Sequence, residues 1–126
     1  TIASIIEKEI KVDSEREKAS QVIFNRLESE TNLQMCSTIL YVLDKKKDRL
    51  YDEDLQVESP YNTYINPGLP IGPISNPGEA CIKATLNPSD GNLMYFVVKD
   101  EETGEHVFTD SYDAFLQAKA QYNQKY

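Results

Sequence analysis

The sequence contains no tryptophan, a single histidine and two cysteines among its 126 residues. Cys36 and Cys81 have no CxxC spacing, and one histidine cannot complete the usual zinc ligand sets, so the sequence predicts no metal site. Two cysteines are also too few for a disulfide framework. We therefore expect no metal, no cofactor and two buried thiols, with a single bridge left open if the domain is extracellular.

Long apolar runs and clustered positive charge are also missing. Without an apolar run of sufficient length, the sequence predicts neither a membrane span nor a signal peptide. The net charge is −8, which argues against nucleic acid as the main partner because nucleic acid binding needs clustered Lys and Arg. The short basic cluster Lys45 to Lys47 is typical of a solvated turn. A neutral or peptide-decorated polymer is compatible with this charge.

The length fits one domain over residues 1–126 that can fold without a metal or disulfide. The chain opens at Thr1 directly on a helical pattern, so we interpret it as a piece of a longer protein whose anchor could lie upstream. Five of its six prolines lie in the segment Ser59 to Gly78. Long loops of this kind inside a compact domain are usually functional. The segment is predicted to form the wall of a binding groove, with a purely structural loop as the alternative.

Apolar spacing predicts five helices and one hairpin. The fold class is α+β: a helix-rich single domain with a small antiparallel sheet and a long Pro/Gly-rich groove loop. The first helix follows from Ile2, Ile5 and Ile6, and the others have predicted caps. The predicted elements are a second helix from the Ser14/Glu17 capping box to about Ser29, a third capped by Ser37, a fourth from Asn76 and Pro77 to before Pro88, strands at Leu93 to Val98 and at His106 to Phe108, and a last helix capped between Thr109 and Ser111.

The first helix offers two carboxylates, Glu7 and Glu9. The apolar stripe continues to position 9, whereas Glu7 is predicted on a solvated side with Lys8 and Lys11. Desolvation favours the protonated form of a carboxyl group, which can then act as a general acid. The periodicity alone leaves Glu9 equally well explained as a catalyst or as one half of a buried salt bridge with Arg16 or Arg26.

Other catalytic patterns are weak, whereas groups suited to sugar binding are present. His106, the only histidine, is more typical of packing than of catalysis, and no nucleophile or phosphate-loop motif occurs. Neutral polar and aromatic side chains match carbohydrate better than phosphate. The candidate substrate-binding residues are Gln34, Ser59, Tyr61, Asn62, Tyr64 and Asn76.

Several stretches in register resemble the endolytic murein transglycosylases, the MltG or YceG-like family. They are ASIIEKEI at Ala3 to Ile10, FNRL at Phe24 to Leu27, LQ at Leu33-Gln34 with Thr38 and Tyr41, SPYNTY and the following GLP, GPI and NPG groups from Ser59 to Gly78, and YFV at Tyr95 to Val97 with His106 and Phe108. The similarity covers essentially the whole chain. It departs from the family at Cys36-Ser37, where members commonly have Asp-Pro, and near Phe115, where they often have a second histidine.

The resemblance implies a bacterial protein anchored in the cell membrane whose catalytic domain faces the cell wall. It implies endolytic cleavage between N-acetylmuramic acid and N-acetylglucosamine, and partners such as penicillin-binding proteins. The family's catalytic glutamate lies in the EKE segment, and the helical periodicity assigns it to Glu9. Arg26, within FNRL, joins the predicted substrate-binding residues.

Two other functions compete with the enzyme. One is a module that binds peptidoglycan without cutting it, in which Glu9 is structural. The other is a pyridoxal-phosphate lyase, which needs a Schiff-base lysine and a phosphate cup that the sequence does not offer. One catalytic carboxylate suits a lytic transglycosylase, whereas ordinary glycosidases need two.

Overall fold

A computed structural model describes residues 1–43 and 50–125, so the basic cluster Lys45 to Lys47 lies outside the described residues. The α+β prediction is confirmed. The elements are α1 Ile2–Glu9, a 3-10 turn Asp13–Glu15, α2 Arg16–Glu28, α3 Cys36–Leu43, a 3-10 turn Asp54–Gln56, α4 Glu79–Leu86, β1 Tyr95–Val98, β2 His106–Thr109 and α5 Tyr112–Lys125.

Helix α1 lies at the centre of the molecule and packs against α2, α3 and α4. Its apolar stripe is the reason, since Ile5 and Ile6 are fully buried and Ile10 nearly so. The residues that complete this core are Ala3, Ala19, Ile23, Leu33, Met35, Ile74 and Cys81. The C-terminal part of the predicted groove loop is bonded to α1, since Ile74 N donates to Ser4 Oγ and Gly78 N donates to Glu7 Oε1.

The predicted cap of α5 is correct, whereas those of α2 and α4 differ from the structure. Ser111 caps α5, since its Oγ accepts a hydrogen bond from Ala114 N at 3.2 Å. The predicted capping box does not form, because no side chain caps α2 and a 3-10 turn precedes it. Helix α4 begins at Glu79 with Gly78 as N-cap, two residues later than the predicted start at Pro77.

The hairpin is confirmed, with β1 and β2 antiparallel and Phe96 opposite Phe108. Helix α5 packs on it, and the Tyr95 and Phe115 rings stack with centroids 5.3 Å apart. The turn closes where Gly104 N donates to Asp100 O at 2.8 Å. This layer of hairpin and α5 is joined to the helical core through α2.

Gly104 and Gly68 provide a matched pair for testing this turn. Both have φ +79°, but a Cβ on Gly104 would lie 2.9 Å from Lys11 Cβ, whereas one on Gly68 would meet nothing within 4 Å. Gly68→Ala is expected to cost about 1–2 kcal/mol from the left-handed backbone alone. Gly104→Ala should cost more, because the clash adds to that strain. Urea denaturation of both variants measures this, and equal losses would contradict a role for the Lys11 contact.

Two further expectations concern the two cysteines and the presence of a membrane-spanning helix. Cys36 and Cys81 are both free thiols, and Cys36 is exposed, so the prediction of two buried thiols is wrong for Cys36. Cys36 is exposed because it begins α3 at the surface, where Tyr64 is its partner rather than the core. In the part of the chain that the structure describes, no helix is long and apolar enough to cross a membrane.

Candidate functional site

Glu9 is the last residue of α1 and its side chain meets the start of α3. Its Oε1 accepts a hydrogen bond from Ser37 N at 2.9 Å. Ser37 lies in the first turn of α3, where backbone N–H groups have no partner within the helix and the helix dipole favours an anion. Among residues 1–43 and 50–125, no group donates to Oε2, and the residue is half-buried. One carboxylate oxygen is therefore held in place while the other can meet a ligand.

Glu7 accepts a similar hydrogen bond at the start of a different helix, α4. Its Oε1 accepts a hydrogen bond from Gly78 N at 2.7 Å, at the start of α4. Glu7 is half-buried, so the prediction that it lies on a solvated side is wrong. The reason is that α4 packs against the side of α1 that the stripe pattern left for solvent. Glu7 thus caps α4, and it contributes to a raised pKa of the buried Cys81 thiol, for which burial is the main cause.

Within residues 1–43 and 50–125, no salt bridge explains Glu9 as a structural residue. Arg16 pairs with Asp13. The Arg26 guanidinium donates to three backbone carbonyls, those of Asn32, Leu33 and Met94, at 2.6–3.0 Å. Neither arginine pairs with Glu9 among the described residues, so the buried salt bridge with Arg16 or Arg26 is not found.

Cys36 and Tyr64 form a neutral pair beside Glu9. The Cys36 Sγ lies 3.1 Å from the Tyr64 hydroxyl. Burial, followed by Cys36 and the Glu9 carboxylate, raises the pKa of Tyr64 far above its ordinary value. Although Cys36 is an exposed residue, neighbouring groups crowd its thiol, and this burial together with Glu9 raises the pKa of the thiol. Both groups therefore stay protonated at neutral pH and can donate hydrogen bonds next to the carboxylate.

The loop that leads to Tyr64 also contains three other predicted residues. Asn62 is fully buried, and its amide bonds only to backbone groups, so it holds the loop and is not accessible to a ligand. Ser59 Oγ accepts from Tyr61 N at 3.1 Å and shapes the turn. The Tyr61 ring lies against the Tyr41 ring, with centroids 4.9 Å apart.

The remaining predicted contacts are dispersed. Gln34 has an exposed side chain and a φ of 52°, and its N–H donates to Thr63 O at 3.1 Å. Asn76 is exposed beside the start of α4, at the Glu7 end of the loop. Arg26 is buried, and its guanidinium donates to backbone carbonyls and lies over the Tyr95 ring. A surface cavity of about 400 Å³ is lined by Glu58, the predicted residue Ser59, Pro60, Ile65 and Asn66.

His106 is engaged in packing the hairpin. Glu15 binds it twice, through His106 N and through Nδ1, each at 3.0 Å. The imidazole is almost fully buried, with 4% of its side chain exposed. These two hydrogen bonds connect β2 to the 3-10 turn before α2. His106 thus packs in the fold, as the sequence favours over a catalytic role.

Sequence reasoning missed three participants at this site. Ser37 was predicted as a helix cap, yet its backbone N–H is what holds Glu9. The sequence predicts Cys36 only as a buried thiol where the family commonly has Asp, and it places Tyr41 only in a family motif. The four-residue spacing of Ser37 and Tyr41 indicates that they share one side of α3. Nothing in the local sequence indicates that α1 ends against the start of α3.

Thiol labelling tests this local chemistry. In the native protein, maleimide should modify Cys36 and leave Cys81 intact, because only Cys36 is exposed. The raised pKa of Cys36 means a smaller thiolate fraction at neutral pH, so the labelling rate should be below that of a model thiol and keep rising into alkaline pH. Peptide mapping and a pH series measure both. Fast labelling at pH 7, or preferential labelling of Cys81, would contradict this arrangement.

Comparison with known proteins places the chain in a family. A model of the YceG-like family matches residues 1–121. An endolytic murein transglycosylase of Bacillus subtilis is 42% identical over 97% of this chain and 33% of its own length. One of Streptococcus pneumoniae is 35% identical over 77% of this chain and 18% of its own.

A solved structure agrees with the sequence relatives. The crystal structure of a yceG-like protein from Listeria monocytogenes superposes with a TM-score of 0.87 at 39% identity, covering 93% of this chain and 38% of that chain. The chain thus spans about a third of the length of the Bacillus subtilis relative.

Proposed function

This chain belongs to the YceG-like family, and on that premise we propose that it is the catalytic domain of an endolytic lytic transglycosylase of peptidoglycan, with Glu9 as its acid and base. Two relatives are named endolytic murein transglycosylases. The observation that carries the residue assignment is the Glu9 carboxylate, which is half-buried, fixed at one oxygen by Ser37 N and open at the other.

The first chemical step is protonation of the leaving oxygen. With its proton on Oε2, Glu9 donates it to the glycosidic oxygen between N-acetylmuramic acid and N-acetylglucosamine, and that bond breaks. The resulting carboxylate keeps the Ser37 N–H hydrogen bond, and the start of α3 stabilises its negative charge. The acid is thereby converted into a base at the position where the next proton must be taken.

The second step closes a ring within the sugar. Glu9 removes the proton from the carbon-6 hydroxyl of the muramic acid, and that oxygen attacks the anomeric carbon. The product is a 1,6-anhydro end, no water is consumed and Glu9 is protonated again. A second catalytic carboxylate is not required, which agrees with Glu7 being committed to the start of α4.

The groups around Glu9 support binding of a neutral sugar. The Cys36 thiol and the Tyr64 hydroxyl remain protonated, and both lie close enough to influence each other and the carboxylate. Gln34 exposes a neutral amide on the segment leading into α3. Catalysis at the cell membrane, with the catalytic domain on the cell-wall side and with penicillin-binding proteins as partners, is proposed from the family resemblance alone.

Digestion of purified peptidoglycan tests the reaction. The released fragments are analysed by mass spectrometry for 1,6-anhydro-muramic acid ends, which differ from hydrolysed ends by the mass of one water. Anhydro ends at internal positions of the strands are the expected result. Plain reducing ends would indicate a hydrolase, and tight binding without any cleavage would favour the non-catalytic peptidoglycan-binding module.

A further inference from the structure

Two tyrosine rings form an aromatic corner at the surface where α3 meets the loop of residues 59–78. The Tyr41 and Tyr61 rings have centroids 4.9 Å apart and are inclined by 51°. Tyr61 is half-buried and packs against the hydrophobic core, whereas Tyr41 is 47% exposed. Tyr61 is therefore anchored in the core, whereas about half of Tyr41 is open to solvent.

This corner lies beside the Glu9 site along α3. Tyr41 follows Ser37 by four residues, so the two are neighbours on one side of the helix, about 6 Å apart along its axis. Helical side chains lean towards the N-terminus, which is the direction from Tyr41 to the turn that contains Ser37. Ser37 N is the donor that holds Glu9. Tyr41 thus lies about one helical turn along α3 from the residue that binds Glu9.

The described neighbours of the Tyr61 ring on the loop are uncharged. A Cβ added at Gly72 would lie 3.5 Å from the Tyr61 hydroxyl oxygen, so this glycine is next to the ring. The adjacent Ile71 is 69% exposed. An anionic polymer is bound by clustered Lys or Arg side chains. Two rings with hydroxyl groups instead offer an apolar face with polar edges. Pyranose rings have the matching pattern of C–H faces with hydroxyl and acetamido edges.

We propose that Tyr41 and Tyr61 form a stacking subsite for one N-acetylated sugar ring of the glycan strand, adjacent to the ring that is cleaved at Glu9. The inference rests on the proposed function for the identity of the polymer. It gives Tyr41 a role that the motif alone does not define, and it makes α3 the element that aligns the strand with the carboxylate.

Calorimetric titration with a hexamer of β-1,4-linked N-acetylglucosamine tests this subsite without requiring cleavage. Tyr41→Ala is expected to raise the Kd about fivefold, the size of one aromatic stacking contact. Tyr41→Phe keeps the ring and should stay within about twofold of the unmodified protein. Tyr51→Ala is the matched control, because Tyr51 is 60% exposed and forms no ring pair in the described part of the chain.

Each result decides between stacking and another use of the surface. Loss of affinity in Tyr41→Ala and in Tyr41→Leu, with affinity kept in Tyr41→Phe, supports the subsite. Equal Kd values for Tyr41→Ala and the unmodified protein would overturn it, as would a hexamer that does not bind at millimolar concentration. Full affinity in Tyr41→Leu would also overturn it, since a merely apolar contact would then suffice.

The outcome is separable from the proposed reaction. Cleavage of peptidoglycan together with an unchanged Kd in Tyr41→Ala would remove the subsite and leave the reaction standing. Weakened hexamer binding in Tyr41→Ala by a protein that forms no anhydro ends would keep the subsite and remove the reaction. If phosphatidylcholine vesicles bind the protein and Tyr41→Ala abolishes that binding, the surface is a lipid contact and the proposal fails.

Discussion

Replacing Glu9 with Gln is expected to lower the rate of 1,6-anhydro end formation by about 10²- to 10⁴-fold, the usual contribution of general acid–base catalysis. Gln cannot donate or accept the catalytic proton, but its carbonyl oxygen can still accept the hydrogen bond from Ser37 N. The fold should therefore persist. The rate is measured by counting anhydro ends over time, and circular dichroism and thermal melting report on the fold.

Glu7→Gln is the matched control for this substitution, because both glutamates belong to α1 and both accept a hydrogen bond from the start of another helix. It should retain activity, with stability reduced by less than about 1 kcal/mol, since a neutral amide replaces the charge at the N-terminus of α4. An inactive Glu7→Gln beside an active Glu9→Gln would reverse the assignment. Full activity in Glu9→Gln alone would be enough to reject the mechanism.

The largest expected effect on stability is that of Asn62→Ala. Asn62 is fully buried, and its Nδ2 donates to Leu55 O at 3.0 Å and Val57 O at 2.7 Å, while its Oδ1 accepts from Tyr64 N at 2.8 Å. Removing the amide leaves three backbone groups without these partners, at about 1–3 kcal/mol for each group that stays dry. Urea denaturation should show a loss of about 3–5 kcal/mol, near the upper limit for a single substitution.

Asn62→Asp separates hydrogen bonding from packing. It keeps the size of the side chain and the acceptor for Tyr64 N, but it places a carboxylate oxygen against two carbonyls, so it should destabilise at least as much as Asn62→Ala. Asn92→Ala, at an exposed asparagine, should change stability by less than about 0.5 kcal/mol. A loss below 1 kcal/mol in Asn62→Ala would show that the loop does not depend on this amide.

The sequence predicts that Glu9 and Asn62 both contact the substrate, whereas the structure gives their side chains different surroundings. Both Glu9 and Asn62 stand in family motifs, and both were predicted to meet the substrate. Glu9 keeps an oxygen open to a ligand, whereas every polar atom of the Asn62 side chain is used by the loop backbone. Asn62 therefore acts on the site through the shape of the loop that holds Tyr61 and Tyr64.

The sequence by itself determined the features that depend on neighbours along the chain. The stripe at Ile2, Ile5 and Ile6 predicts α1 because helical periodicity places these residues on one face. The alternation of apolar segments and a polar turn predicts the hairpin, and Ser111 predicts the start of α5. The motifs in register also predicted the family, since their order along the chain needs no knowledge of the packing.

Only the tertiary structure decided what each polar group meets. Glu9 is bound by Ser37 N, 28 residues away, and Glu7 by Gly78 N, 71 residues away. Arg26 could have paired with Glu9, but α2 packs so that its guanidinium reaches backbone carbonyls instead. Helix periodicity records which face of a segment is buried, but not which partner covers it. Hydrogen bonds between distant segments follow from that choice of partner, and so the hydrogen bond of Glu9 to Ser37 N depends on the packing of α1 against α3.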